Sequence, residues 1–155
     1  MASISDFGIA FVLPMAALAA LSLSVAAPAQ SPATIDIQIE IAGLRDAHGL
    51  VRVCLTRDHE SFPDCKGPGV VHGTIKASLA PLQYTFNAVP AGTYAVAAFH
   101  DANDNGKLDT MMGIPKEGFA FSRNPKMLAR APHFIEASFE SNGRSLVPLK
   151  MKYLL

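Results

Sequence analysis

Tryptophan is absent from the chain, and neither sign of charge is in excess: 13 Lys and Arg stand against 13 Asp and Glu. Without a net charge there is no broad positive field to gather a phosphate backbone or an anionic lipid surface. Without Trp, and with basic residues scattered rather than set between aromatics, there is no stacking groove for single strands. Nucleic acid is therefore not an expected partner. Cysteine is limited to two residues, and no His or Cys stands at regular spacing beside them, which excludes a Cys-based metal cluster. After residue 30, no segment holds an amphipathic helical period for three turns, so a helix bundle is excluded as well. Internal repeats and low-complexity tracts are also missing from that region.

The first apolar stretch is FGIAFVLPMAALAALSLSVAAPA, Phe7–Ala29, which carries no charge and ends in the small residues Ala27-Pro28-Ala29. This A-x-A pattern reads as a secretory signal peptide over residues 1–29, leaving 30–155 as a single exported domain. No Lys or Arg precedes the run, where Asp6 stands instead, and its length also suits a retained anchor. Cleavage and retention both remain open. In either case the expected location is periplasmic or secreted, with membrane contact only through an uncleaved N-terminal segment. No Cys follows the apolar run, so a lipid-modified Cys anchor is excluded.

Export decides how the cysteines are read. Cys54 lies in LVRVCLT and Cys65 follows in the Pro- and Gly-marked segment SFPDCKGPG. In an oxidising compartment a pair this close is expected to form a disulfide, which by the chain-entropy argument stabilises by ~3 kcal/mol.

Over residues 30–155 the dominant period is two. Ile35, Ile37, Ile39 and Ile41 alternate with Asp36, Gln38 and Glu40, the pattern of a half-buried strand. Further strands are expected over Leu50–Thr56, Val70–Leu79, Leu82–Val89, Thr93–His100, Phe134–Glu140 and Leu146–Tyr153. Pro148 lacks a ladder donor and places the last of these at an edge or bulge. The fold class that follows is all-β: a single antiparallel β-sandwich, Ig-like or transthyretin-like, of about seven strands with one long loop excursion. Thr93–His100 is apolar on both faces and needs cover on each. The expected roof is the connection Thr110–Pro132 with Met111, Met112, Ile114, Phe119 and Phe121, a stretch too long for an ordinary loop. Within it, Asn124-Pro125 reads as an N-cap and first helical residue, making KMLAR a short helical turn.

The segment HDANDNGKLD, His100–Asp109, directly follows the apolar run YAVAAF. Asp101, Asn103 and Asn105 occupy alternate positions, Gly106 allows a sharp turn, Lys107 offers its backbone carbonyl, and Asp109 comes ninth. This is close to the opening of an EF-hand loop. The twelfth place holds Met112 instead of a bidentate Glu, and neither flank is helical, so an EF-hand is excluded. The expectation is a weak calcium (Ca2+) site with an affinity of roughly 10⁻⁴ to 10⁻³ M, closed by an oxygen from Glu117, Asp58, Glu60 or Asp64. The same residues also suit a metal-free polar turn, because Asx turns and Asn-Gly bend the chain unaided. Both readings stand at this stage. His100 at the strand end is a weaker ligand candidate, since calcium prefers oxygen. His48, His59, His72 and His133 lie singly in other segments.

Gly92–Ser122, GTYAVAAFHDANDNGKLDTMMGIPKEGFAFS, resembles the signature of a bacterial family of exported proteins, domain of unknown function 2141. The likeness extends from the Ile-rich first strand to Met151-Lys152-Tyr153. It implies an exported β-sandwich without an established activity. The shorter phrase VPAGTYAVAAF, Val89–Phe99, resembles more weakly the strand entry of transthyretin-like and carboxypeptidase-regulatory-like sandwiches, commonly binding or structural modules.

Function divides into two classes. A hydrolase would start from His100 and Glu117, with Lys116 alongside, but their spacing supplies no recognisable order of nucleophile, base and orienting group. Ser122 has no G-x-S-x-G setting. The favoured expectation is a non-catalytic binding or structural module with a calcium-stabilised loop. His100, Lys116 and Glu117 are its candidate ligand surface, and its partner is an unspecified protein or small molecule.

Overall fold

The computed structural model describes residues 33–126 and 130–155. The leader reading over 1–29 lies outside the described residues, as do the central positions 127–129 of the expected KMLAR turn. Among the described residues no helix is long and apolar enough to cross a membrane.

The Ile alternation forms β1, Thr34–Ala42, with Ile37, Ile39 and Ile41 wholly buried. Each such side chain contributes about 1.5–3 kcal/mol relative to exposure. β1 is the centre of a three-stranded sheet, flanked antiparallel by β4, Leu82–Pro90, and parallel by β10, Ser145–Lys150. The parallel pair departs from the purely antiparallel sandwich expected from sequence. β10 joins after a long crossover and runs in the same direction as β1, with Ile37 opposite Ser145 and Ala42 opposite Lys150. A second sheet runs β3, Val71–Lys76; β2, Leu50–Thr56; β5, Gly92–Asp101; and β8, Phe119–Phe121. β9, Phe139–Ser141, pairs with the start of β5. The short hairpin β6–β7, Thr110–Met111 and Ile114–Pro115, stands apart from both sheets.

The inward faces of the two sheets share one core. Val51, Val53 and Leu55 of β2 and Tyr94, Val96 and Ala98 of β5 meet Ile37, Ile39, Ile41, Phe86, Val147 and Leu149. Both open sides of the sandwich are closed by a tyrosine lying over a glycine. A Cβ on Gly73 of β3 would fall 2.3 Å from the Tyr84 ring, and one on Gly118, beside β8, 2.4 Å from the Tyr153 ring. Only glycine leaves room for these rings at the edges of the second sheet.

Several expectations need correction. The segment expected as a strand from Phe134 begins instead with a helical turn, α1, Phe134–Ala137. Phe134 and Ala137, three apart, are both buried there, and Glu136 accepts the His133 N–H at 2.6 Å, as in a capping box. The Asn124 amide is bonded to β10. Its Nδ2 donates to Pro148 O at 3.0 Å and its Oδ1 accepts Lys150 N–H at 2.7 Å, so its amide covers the free edge of β10 as a neighbouring strand would. Among the described residues, the Thr110–Pro132 excursion roofs β5 only in part. Phe119 and Phe121 extend the sheet as β8, while Met111, Met112 and Ile114 are exposed. The outward residues Ala95 and Ala97 pack with Phe62 and Cys65 of the 57–70 connection, with Phe119 and Phe121, and with Phe134 and Ala137. Cys54 and Cys65 are joined as a disulfide with a Cα–Cα distance of 6.3 Å, pinning that connection to β2.

Candidate functional site

β5 delivers two adjacent residues to opposite faces, because side chains alternate along a strand. His100 turns into the sandwich and Asp101 away from it. Both are shut off from water, at 1% and 0% exposure. His100 Nε2 lies 2.8 Å from His48 O, which can only accept, so that nitrogen carries the proton and donates. Its Nδ1, 2.9 Å from the Tyr153 hydroxyl, then accepts from it in the neutral ring. Burial raises the Tyr153 phenol above its ordinary value, which keeps the hydroxyl protonated for this bond.

Asp101 anchors the loop that follows. Its Oδ1 accepts Asn105 N–H at 2.9 Å and its Oδ2 accepts Gly106 N–H at 2.8 Å. Oδ2 also accepts from Nε of Arg52, which reaches across from β2, and Arg52 Nη2 continues to Asp104 Oδ1 at 2.7 Å. Burial alone would raise the Asp101 carboxyl. The bonds from Arg52, Gly106 and Asn105 outweigh it and hold the group below the ordinary Asp value. The same Asp101 bond raises Arg52 above its usual range.

The alternating side chains do converge. Asn103 Nδ2 and Asn105 Nδ2 donate to the two oxygens of Asp109 at 2.8 and 3.0 Å, and Lys107 N–H donates to Asn105 Oδ1 at 2.8 Å. Glu117 straps both ends of the turn: Oε1 accepts Ala102 N–H at 3.0 Å and Oε2 accepts Asp109 N–H at 2.9 Å. Of the four acidic residues weighed as closing groups, Glu117 is the one bonded to this loop. Asp58 accepts Glu60 N–H in a separate turn. Glu117 is itself only 6% exposed, whereas Lys116 is on the surface. Of the expected ligand surface, then, Lys116 alone faces water, and His100 and Glu117 are interior groups.

Among the described residues no three His, Cys, Asp or Glu side chains gather into a group able to hold a metal ion. A cation at the loop would therefore lean on Asn and backbone oxygens, whose second lone pairs survive the Asx-type bonds. Of the carboxylates bonded within this loop, Asp109, Glu117 and Asp101, the last is already neutralised by Arg52.

A sequence model of a bacterial family, described as an uncharacterized protein conserved in bacteria (DUF2141), matches residues 39–147. The chain belongs to the DUF2141 family. No curated protein and no solved structure matches it. The DUF2141 span takes in Arg52, the disulfide, the whole 101–117 loop and its Glu117 strap, and stops short of Tyr153.

Two participants of this DUF2141 loop escaped the sequence reading. Arg52 is 49 positions from its Asp101 partner. Its only local signal is a lone charge in LVRVCLT, on the face that alternation assigns away from Val51, Val53 and Leu55. Tyr153, 53 positions beyond His100, carries no local signal at all.

Proposed function

We propose that this protein is a non-catalytic binding or structural module of the periplasm or the secreted space, whose 101–109 loop is preset by hydrogen bonds and reinforced by weakly held calcium. The observation that carries the reading is the convergence of Asn103 and Asn105 on Asp109 within a turn that Asp101 and Glu117 tie down. The disulfide is in keeping with an oxidising compartment. Calcium has modest scope here, because Arg52 already provides a positive charge beside Asp101 and two of the ligands are neutral amides.

A hydrolase built on His100 and Glu117 is the less supported alternative. Both ring nitrogens of the one and both oxygens of the other are engaged by protein groups, whereas a general acid or base needs a heteroatom within reach of substrate.

Thermal unfolding of the purified protein with excess calcium, with magnesium and with chelator tests the reading. At ten times a dissociation constant of about 1 mM, calcium should stabilise by about 1.4 kcal/mol. That corresponds to a rise of about 5 °C in Tm for a domain of this size. A melt indifferent to calcium, with unmoved side-chain amide resonances of Asn103 and Asn105, rejects the ion. Turnover on ester, peptide or glycoside substrates that disappears in Glu117→Gln would instead establish the enzyme.

A further inference from the structure

The second sheet has an outer face that the sandwich core does not use. The register brings Ala97 beside Cys54 on one side and Phe121 on the other, and Phe99 beside Arg52 and Phe119. Two separate covers reach over this face. At one end stands the disulfide-tied 57–70 connection with α1, and at the other stands the excursion carrying Leu108 and Ile114. They do not meet. Between them lies a groove of about 1030 Å³, at the upper end of the roughly 300–1,000 Å³ typical of small-molecule sites.

The shape of the groove follows from its residues. Ala97, Cys54 and Thr74 are small and form a low floor, while Phe99 and Phe119 on the sheet, Pro63 on one cover and Ile114 on the other add apolar surface. Charge is distributed unevenly around it: Arg52, Lys66, Lys107 and Arg130 line the groove, against Asp64. Arg130 is taken up by Glu136, and Lys66 lies 3.8 Å from Asp64. Lys107 has no carboxylate partner among the described residues. Arg52 uses Nε and Nη2 on Asp101 and Asp104, which leaves Nη1 without a hydrogen bond among them. These two cations belong to one end of the groove, since a Cβ on Gly106, next to Lys107, would lie 3.9 Å from Arg52 Nη2.

We propose that this groove binds the apolar body of an amphipathic carboxylate, with the carboxylate held at the Arg52 and Lys107 end. An apolar trough with a carboxylate-free ammonium, Lys107, and the open Nη1 of Arg52 at one end complements a ligand that is apolar along its length and anionic at its head. Guanidinium and ammonium groups both bond carboxylate oxygens through charge-assisted hydrogen bonds. The inference rests on the reading of the chain as a binding module and does not depend on calcium.

The experiment is calorimetric titration of the protein with octanoate, octyltrimethylammonium and octanol. Octanoate should bind at least tenfold more tightly than the ammonium of the same chain length. Lys107→Glu, on an exposed loop, should weaken octanoate about five- to tenfold and leave octanol unchanged. Thr74→Trp, at an exposed position of β3, should block the floor and weaken all three probes. Equal binding of the carboxylate and the ammonium, indifference to both substitutions, or no binding of any chain at millimolar concentration overturns the proposal. Calcium-dependent melting measured on the same samples keeps its failure separate from that of the loop.

Discussion

Replacing Asp101 by Asn tests whether a buried charge sets the loop. The substitution keeps the size of the side chain and removes its charge. In the native protein, two backbone N–H groups and Arg52 Nε converge on the two carboxylate oxygens. An amide has one carbonyl oxygen, so its NH2 must face at least one of those donors. The cheaper orientation points the NH2 at Asn105 N–H, which retains a second acceptor in Asn103 Oδ1 at 3.2 Å. Removing one partner of a buried ion pair costs about 3–5 kcal/mol. Here Arg52 is 32% exposed and keeps Asp104, which lowers the expected loss to about 2–3 kcal/mol. Urea unfolding followed by circular dichroism at pH 7 measures it, with Asp104→Asn as the exposed control at about 0.2–1 kcal/mol. The pH dependence has a definite sign. Because the folded carboxyl sits below its ordinary value of 3.8, its stabilisation is complete above that value and is lost as pH falls through the lower folded one. Parent and Asp101→Asn should therefore differ most at neutral pH and converge in acid. A difference under about 0.5 kcal/mol at pH 7, or one that persists unchanged into strong acid, refutes the argument.

The remaining expectations concern other parts of the fold. Replacing Cys54 and Cys65 together by Ala should cost about 2–3 kcal/mol in urea unfolding while leaving the native spectrum unchanged, given the 11-residue separation. A loss under about 1 kcal/mol means that the bridge does not restrain the unfolded chain as supposed. Met112 is 97% exposed at φ +51°, so Met112→Asn should raise stability by about 0.5–1 kcal/mol, read as a higher Tm; a lower Tm contradicts the turn geometry. The Arg130 guanidinium, followed by the His133 N–H, pulls the Glu136 carboxyl down to about 2. Carboxyl NMR should place its midpoint there and return it toward 4.5 in Arg130→Ala, and the stabilisation from this pair should fade as pH drops from 4.5 toward 2.

What the sequence disclosed depended on how local each cause was. Four alternating isoleucines are enough to place β1, since a one-residue slip would turn all of them to water. LVRVCLT gave the bounds of β2 because turn residues flank both ends. The all-β class and the bridge between Cys54 and Cys65 were legible for the same reason. FIEASFE misled because it alternates well enough for a strand, while the helical turn depends on Phe134 and Ala137 finding burial on one side and on Glu136 reaching back to His133. At the site, the spacing of Asp101, Asn103, Asn105 and Asp109 announced a closed turn, and the side chains do close on one another. The ion pair that neutralises Asp101 was invisible, because strand pairing brings Arg52 there from 49 positions away. Glu117 was visible as a candidate only among equals, and its strap across Ala102 and Asp109 needs three dimensions.

The parallel pairing of β1 with β10 fixes an order of assembly. Ile37, among the earliest residues of the sandwich to be synthesised, waits for Ser145 before its second flank is occupied. Until Ser145 has been made, that first ribbon can zip only to β4, and half of its backbone partners are missing. A product truncated before Ser145 would carry the same isoleucines with one margin bare, and should be recovered as aggregate or degraded fragment instead of a smaller sandwich.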